Sequence, residues 1–217
     1  MDTFPNSPRL LKGGIVLLDP VTSIVTRVIV LQYNPDSISR TLQIQTVAGD
    51  QADRLEALRL KAPPIETFKL EAEVDATDQL ETDDPTAMQY GIEPQLASME
   101  MMLYPTSGQL LANNALAGQG TLEIVPMEAP LPLFVWSASR IVPIRLTEYS
   151  VTEEAFDQNL NPIRAKVSLG MRVLSVYDLG FDTKGGNVFL AYQKQKERFA
   201  AIGQTTALGT LGIGAIP

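Results

Sequence analysis

Two long stretches of this chain alternate strictly between apolar and polar residues. In the first, Phe68, Leu70, Ala72 and Val74 are interleaved with Lys69, Glu71, Glu73 and Asp75. In the second, Ala165, Val167, Leu169, Met171 and Val173 oppose Arg164, Lys166, Ser168 and Arg172. Successive side chains of a strand point to opposite faces, so each stretch requires a sheet with one dry face and one wet face. The second stretch follows Asp157-Gln-Asn-Leu-Asn-Pro162, whose Asn and Pro residues mark a bend. Residues 148–177 therefore read as one long β-hairpin.

The rest of the chain adds shorter strands and two helices. Residues 15–18 are a short apolar run. Residues 24–33 are rich in β-branched side chains and end at Asn34-Pro35, a strand followed by a turn. In 39–47, Leu42 and Ile44 alternate with Thr41, Gln43 and Gln45, which predicts a half-buried strand. Strands are also expected at 121–125, at 132–137, which carries Trp136, and at 141–152. A helix is expected over 92–104, with Pro94 in its first turn, Ile92, Leu96, Met99 and Leu103 on one face, and Pro105 as its stop. Met99, Met101 and Met102 are expected to fill irregular gaps in the core. A second helix over 188–201 turns Phe189, Tyr192 and Phe199 inward and exposes Lys194, Lys196 and Arg198. Residues 48–64, with a helical turn at 52–60, 76–87 and 106–120 read as loops. Strands that do not alternate regularly with helices imply a mainly antiparallel α+β domain.

Composition narrows the function. The 217 residues include no cysteine and no histidine. Disulfides, thiolate metal sites, cysteine nucleophiles and Ser-His-Asp triads are excluded, and the usual base that titrates near neutral pH is missing. The net charge of −8 comes with no Lys/Arg cluster, which argues against nucleic acid as a partner. No run of about 18 apolar residues marks a membrane span. The N-terminus lacks a basic segment followed by an apolar one, so folding in the cytoplasm is expected.

Several residues invite chemical readings. Glu71, Glu73, Asp75, Asp78, Glu81, Asp83 and Asp84 are an acidic series, but their spacing fails the calcium loop for want of the central Gly and closing Glu. They read as a solvated surface. Gly118-Gln-Gly120 and Lys184-Gly-Gly-Asn187 lack the Lys-Ser/Thr of a phosphate loop and read as turns. Lys69 and Lys166 lie on the polar phase of strands, where solvated lysines are the rule. Trp136, Tyr177 and Tyr192 share no spacing that would make a sugar-stacking platform, which keeps a carbohydrate-binding module as an alternative of lower rank. No catalytic residue, cofactor or metal ligand is assigned.

The stretch from Phe68 to Leu80, the 92–105 helix, Pro130-Leu-Pro-Leu-Phe-Val-Trp136 and the 154–174 segment together resemble the tube-like baseplate adaptor, or tube initiator, of extracellular contractile injection systems. The resemblance covers roughly 13–178. It implies a phage tail-tube-like antiparallel β-barrel or sandwich with one flanking helix, here with a C-terminal helix and tail added. It divides the chain into an N-terminal arm (1–12), a tube-like domain (13–178) and a C-terminal helix with glycine-rich tail (179–217). It implies a non-enzymatic subunit of a hexameric ring joining the spike protein to the inner tube proteins among other baseplate proteins. Such a particle assembles in the cytoplasm and, in released forms, works outside the cell. An ordinary repeated inner tube subunit is the alternative within this class. Members often carry a lysin-motif module after the tube domain; the residues after Tyr177 are too few and too apolar for one. The loops at 48–64, 76–90 and 105–120 are expected to make axial contacts, and the 148–177 hairpin to meet neighbouring subunits.

Overall fold

The computed structural model describes residues 11–19, 21–46, 59–118, 129–203, 208–213 and 216. Its strands are β1 (Gly14–Leu18), β2 (Val25–Val30), β3 (Ile38–Thr46), β4 (Leu60–Asp75), β5 (Leu131–Ser137), β6 (Arg140–Phe156) and β7 (Pro162–Val173). They form a seven-stranded antiparallel sheet in the order β2-β1-β5-β6-β7-β4-β3. The helices are α1 (Thr77–Glu81), α2 (Pro85–Tyr90), α3 (Glu93–Glu100), α4 (Ser107–Gly118), α5 (Val176–Leu179) and α6 (Lys184–Ile202). The fold is α+β and mainly β, as the two alternating stretches require.

The sheet is rolled. Phe68 on β4 and Phe134 on β5 are separated by β6 and β7 in the strand order, yet their ring centroids lie 5.7 Å apart. In a flat sheet three strand spacings would hold them roughly 14 Å apart. The inward phases therefore converge on one core. Phe68, Val74, Phe134, Val142, Ile144, Val167 and Met171 are all fully enclosed in it. Burying each large apolar side chain of this kind contributes about 1.5–3 kcal/mol.

The roll has a seam. β3 pairs with β4 only as far as Leu70, which leaves Glu71–Asp75 of β4 unpaired on that side. Gln32, just beyond β2, reaches it there. Its Nε2 donates to the Asp75 carbonyl at 2.6 Å, and its Oε1 accepts the Asp75 N–H at 3.0 Å. A side-chain amide thus stands in for a peptide unit. Beside it, the free edge of β2 lies against α3, where Arg27 donates to the Ser98 carbonyl at 3.5 Å.

The β6–β7 turn is fastened from within and from outside. Asp157 accepts the N–H groups of Asn159 and Asn161 at 2.7 and 2.8 Å. The Ile92 N–H donates to the Pro162 carbonyl at 2.9 Å, which ties the start of α3 to the turn. Gly91 sits at that junction with φ +58° and no room for a Cβ, which would lie 2.1 Å from the Pro162 oxygen.

Several expectations need correcting. The segment 76–87 contains α1 and most of the start of α2. Asp84 caps α2 by accepting from Thr86 and Ala87 N–H at 2.9 Å, and Pro85 follows at the first helical position. Residues 106–120 are no loop as far as Gly118, because Thr106 and Gln109 form a capping box at the start of α4. The helix expected over 92–104 ends at Glu100, so Leu103 falls outside it and is exposed. Of its methionines, Met99 is buried and Met102 packs against the core, whereas Met101 is exposed. β3 is not half-buried: Leu42 and Ile44 are 45% and 69% exposed. β4 begins at Leu60 and runs through Pro63-Pro64, so the loop expected over 48–64 does not extend past Arg59. β7 ends at Val173 because Ser175 and Asp178 form a capping box that starts α5. The tail contains a short 3-10 turn at Leu208–Leu211. The arm at 1–10, the 47–58 segment and the 121–125 strand lie outside the described residues.

Candidate assembly interface

β6 is long, and its two edges are used unequally. β5 pairs with it only over Arg140–Pro143. From Ile144 to Phe156 its ladder is with β7 alone. Among the described residues, the other edge of that stretch has no strand partner. β3 is likewise paired on one side only. The four-stranded part of the sheet, β6-β7-β4-β3, thus ends in an unpaired strand on each side. Unpaired N–H and C=O rows are templates for another strand. Leu42, Ile44 and Leu60 are exposed where β3 meets the start of β4, which adds apolar surface beside one of these edges.

The outer face of the same strands is a charge lattice. The bases of β7 lie in register with β4 and β6, as Glu73–Lys166–Thr152 and Asp75–Arg164–Glu154. Arg164 Nε meets Asp75 at 2.7 Å and Glu73 at 3.8 Å, Lys166 meets Glu154 at 3.6 Å, and Lys69 meets Glu148 at 2.8 Å. Burial alone would raise the Asp75 pKa. Hydrogen bonds from Thr77 and Arg164, with the charge of Arg164, outweigh it and hold the carboxyl below its ordinary value. The hydrogen bond and charge of Asp75 raise Arg164 in turn. These exposed pairs contribute little stability individually, since water screens them. Their effect is to keep this face polar and wet.

A different polar cluster fastens α6 to the sheet. Glu66 on β4 is only 3% exposed. Its Oε1 accepts from Arg40 Nε at 2.6 Å and from the Tyr192 hydroxyl at 2.7 Å, and its Oε2 accepts from Lys196 Nζ at 2.7 Å. Lys196 also lies over the Tyr192 ring, 4.1 Å from its centroid. Burial pushes the Glu66 pKa up, but the hydrogen bonds of Lys196 and Tyr192 and the charges of Lys196 and Arg40 prevail and lower it. Burial, with the neighbouring Glu66 carboxylate, raises the Tyr192 hydroxyl. The cluster is saturated, and its geometry suits a structural clamp better than proton transfer. Sequence reading passed over Glu66; its signal was an acid on the inward phase of β4, in step with Phe68.

The residues singled out from sequence are mostly not brought together. Glu71, Glu73 and Asp75 lie on the charged outer face, Asp78 and Glu81 on α1, and Asp83 and Asp84 at the α1–α2 corner. Among the described residues no group of three or more acidic side chains is placed to hold a metal ion. Lys69 and Lys166 are the ion-paired, solvent-facing residues their phase required. Lys184-Gly-Gly-Asn187 is not a turn but the first turn of α6, capped by Thr183 accepting from the Gly186 N–H at 3.0 Å. Gly118 closes α4, while residues 119 and 120 lie outside the described residues. Trp136 is half-buried and stacks on Phe134, Tyr192 is buried against Glu66, and Tyr177 is 70% exposed, so the three make no platform.

Two further features lie near the connection between α3 and β5. A cavity of about 580 Å³ has Leu18, Leu103, Leu131, Leu146, Leu174 and Leu179 in its lining. α4 stands nearby in sequence with every described residue exposed except the half-buried Asn113. Among the described residues no helix is long and apolar enough to cross a membrane.

No protein-family model matches the chain, and no curated protein matches it. Among solved structures, it is similar to a chain from the tail of an empty GTA particle with C6 symmetry. That likeness has 12% identity, a TM-score of 0.28, and covers 75% of this chain and 90% of the other. At that score it carries no structural argument.

Proposed function

We propose that this protein is a non-enzymatic ring subunit of a phage-tail-like contractile injection system, joining the spike to the inner tube at the baseplate. The observation that carries the reading is the pair of unpaired edges, β3 and the outer part of β6, on opposite sides of one four-stranded sheet. Joining β3 of one copy to β6 of the next repeats a single heterologous contact, and such a contact closes into a ring when the rotation permits. Closure pairs both spare edges of that four-stranded part, which would otherwise invite aggregation. The charge lattice on those strands suits a surface that faces water around a hollow axis.

The hexameric order, and the spike, tube and baseplate partners, come from the family resemblance. A repeated inner tube subunit would use the same edges, so copy number separates the two readings: one hexamer per particle supports the adaptor, and a long stack supports the tube. The direct test is mass photometry and negative-stain microscopy of the purified full chain. Annular oligomers that dissociate when Leu42 and Ile44 are replaced by lysine are expected. A monomer at every concentration, before and after mixing with tube protein, rejects the ring.

A further inference from the structure

Gln32 occupies a position where a peptide unit would sit. Its carboxamide offers the Asp75 backbone one donor and one acceptor, as an adjacent strand would. Both backbone groups of a strand residue point to one side, and those of its neighbour to the other. Asp75 turns its pair toward Gln32, whereas the Ala76 N–H turns the other way and donates to the Ile163 carbonyl at 2.9 Å. Glu71 and Glu73 share the phase of Asp75 and present their N–H and C=O groups on the same open side. Among the described residues β3 is the strand on that flank, and it stops at Leu70.

This edge opens into a cleft. A cavity of about 460 Å³ lies between Glu71, Glu73 and the 33–37 loop that carries the chain from Gln32 to β3. Asp36, Glu71 and Glu73 set three acids in its lining against one base, Lys166, which is paired with Glu154 at 3.6 Å. Tyr33 also lines it and is partly exposed. A strand laid along β4 here sets alternate side chains beside the two glutamates and the others beside the buried Ala72 and Val74.

We infer that this cleft binds an extended segment of another protein, with basic residues alternating with small apolar ones, as an added strand on β4. Charge selects lysine or arginine for the outer phase, and the Tyr33 ring offers a face to the cation. Two occupants closer to hand fit less well. The chain's own first ten residues join the fold at Leu11, beside Asn34 of the same loop, but they carry Pro5 and Pro8. Three residues apart, these prolines fall on opposite phases, so a ladder in either phase loses a donor. A second copy lacks the pattern on its spare edges: β6 beyond Leu146 has acids and no base, and the one base of β3, Arg40, is held by Glu66.

The test uses the full chain and a short capped peptide alternating lysine and valine, carrying a fluorophore. Anisotropy should report saturable binding. E71Q/E73Q, at two exposed positions, should weaken it about fivefold. N-methylation of the peptide backbone should abolish it, because only an added strand needs those N–H groups. Nuclear Overhauser contacts should run from the peptide backbone to the Glu71 and Glu73 amides. Contacts from those amides to another segment of the free chain show that the chain fills its own slot, and overturn the inference. A peptide that fails to bind, or that binds as well when N-methylated, overturns it too. The inference does not draw on the ring reading, and none of these outcomes bears on ring closure.

Discussion

At Glu66, a carboxylate removed from water is held by three donors that reach it from β3 and α6. Glu66→Ala leaves Arg40 and Lys196 without their shared anion, and the expected loss in urea unfolding is about 3 kcal/mol. Tyr192→Phe removes one of two donors to Oε1 and is expected to lose only about 1 kcal/mol. The pH dependence follows from the lowered pKa. A carboxyl whose pKa is lower in the folded than in the unfolded state contributes stability above the unfolded value, here ordinarily 4.5, and loses it as pH falls through the folded value. The stability gap between the wild type and Glu66→Gln should therefore be full at pH 7 and shrink steadily below pH 4.5. An unchanged gap at pH 3 would remove Glu66 from that role.

The elements meet at sharply specified corners, and Gly91 is the sharpest. Its positive φ and the nearby Pro162 carbonyl leave no place for a methyl group. Gly91→Ala should destabilise the protein by about 3 kcal/mol or more, while Gly108→Ala, where a Cβ meets nothing within 4 Å, should be neutral or slightly stabilising. Thermal melts of the two variants check this contrast. What could be read from the sequence at this scale followed periodicity. The faces of β4 and β7 came directly from alternation, because both strands have one wet face and one dry face. β3 misled because Leu42 and Ile44 alternate as a buried face would, yet the strand extends past the core. α1, α2 and α4 were hidden by polar or small composition, although the Asp84-Pro85 pair and the Thr106–Gln109 box were readable start signals. The clamp at Glu66 was not legible because its partners are up to 130 residues away in sequence.

For the molecule as a whole, strand order is the decisive property, since it joins local patterns into a rolled sheet whose four-stranded part has two spare edges. The roll itself could not be read from alternation, which assigns faces but not curvature; contact between Phe68 and Phe134 reveals it. Native-state hydrogen exchange should find the amides of β7 and the adjoining half of β4 slowest, because both flanks of β7 are laddered. The amides of Gln32 and of β2 should exchange much faster; equal protection throughout would contradict that order. The reason is the carboxamide of Gln32, which bridges to β4 where a ladder would otherwise run. A wall laced by one stitch can be let out at that point without unpicking the rest. In the proposed ring, such a seam would let the subunit change its girth slightly to suit unlike neighbours above and below.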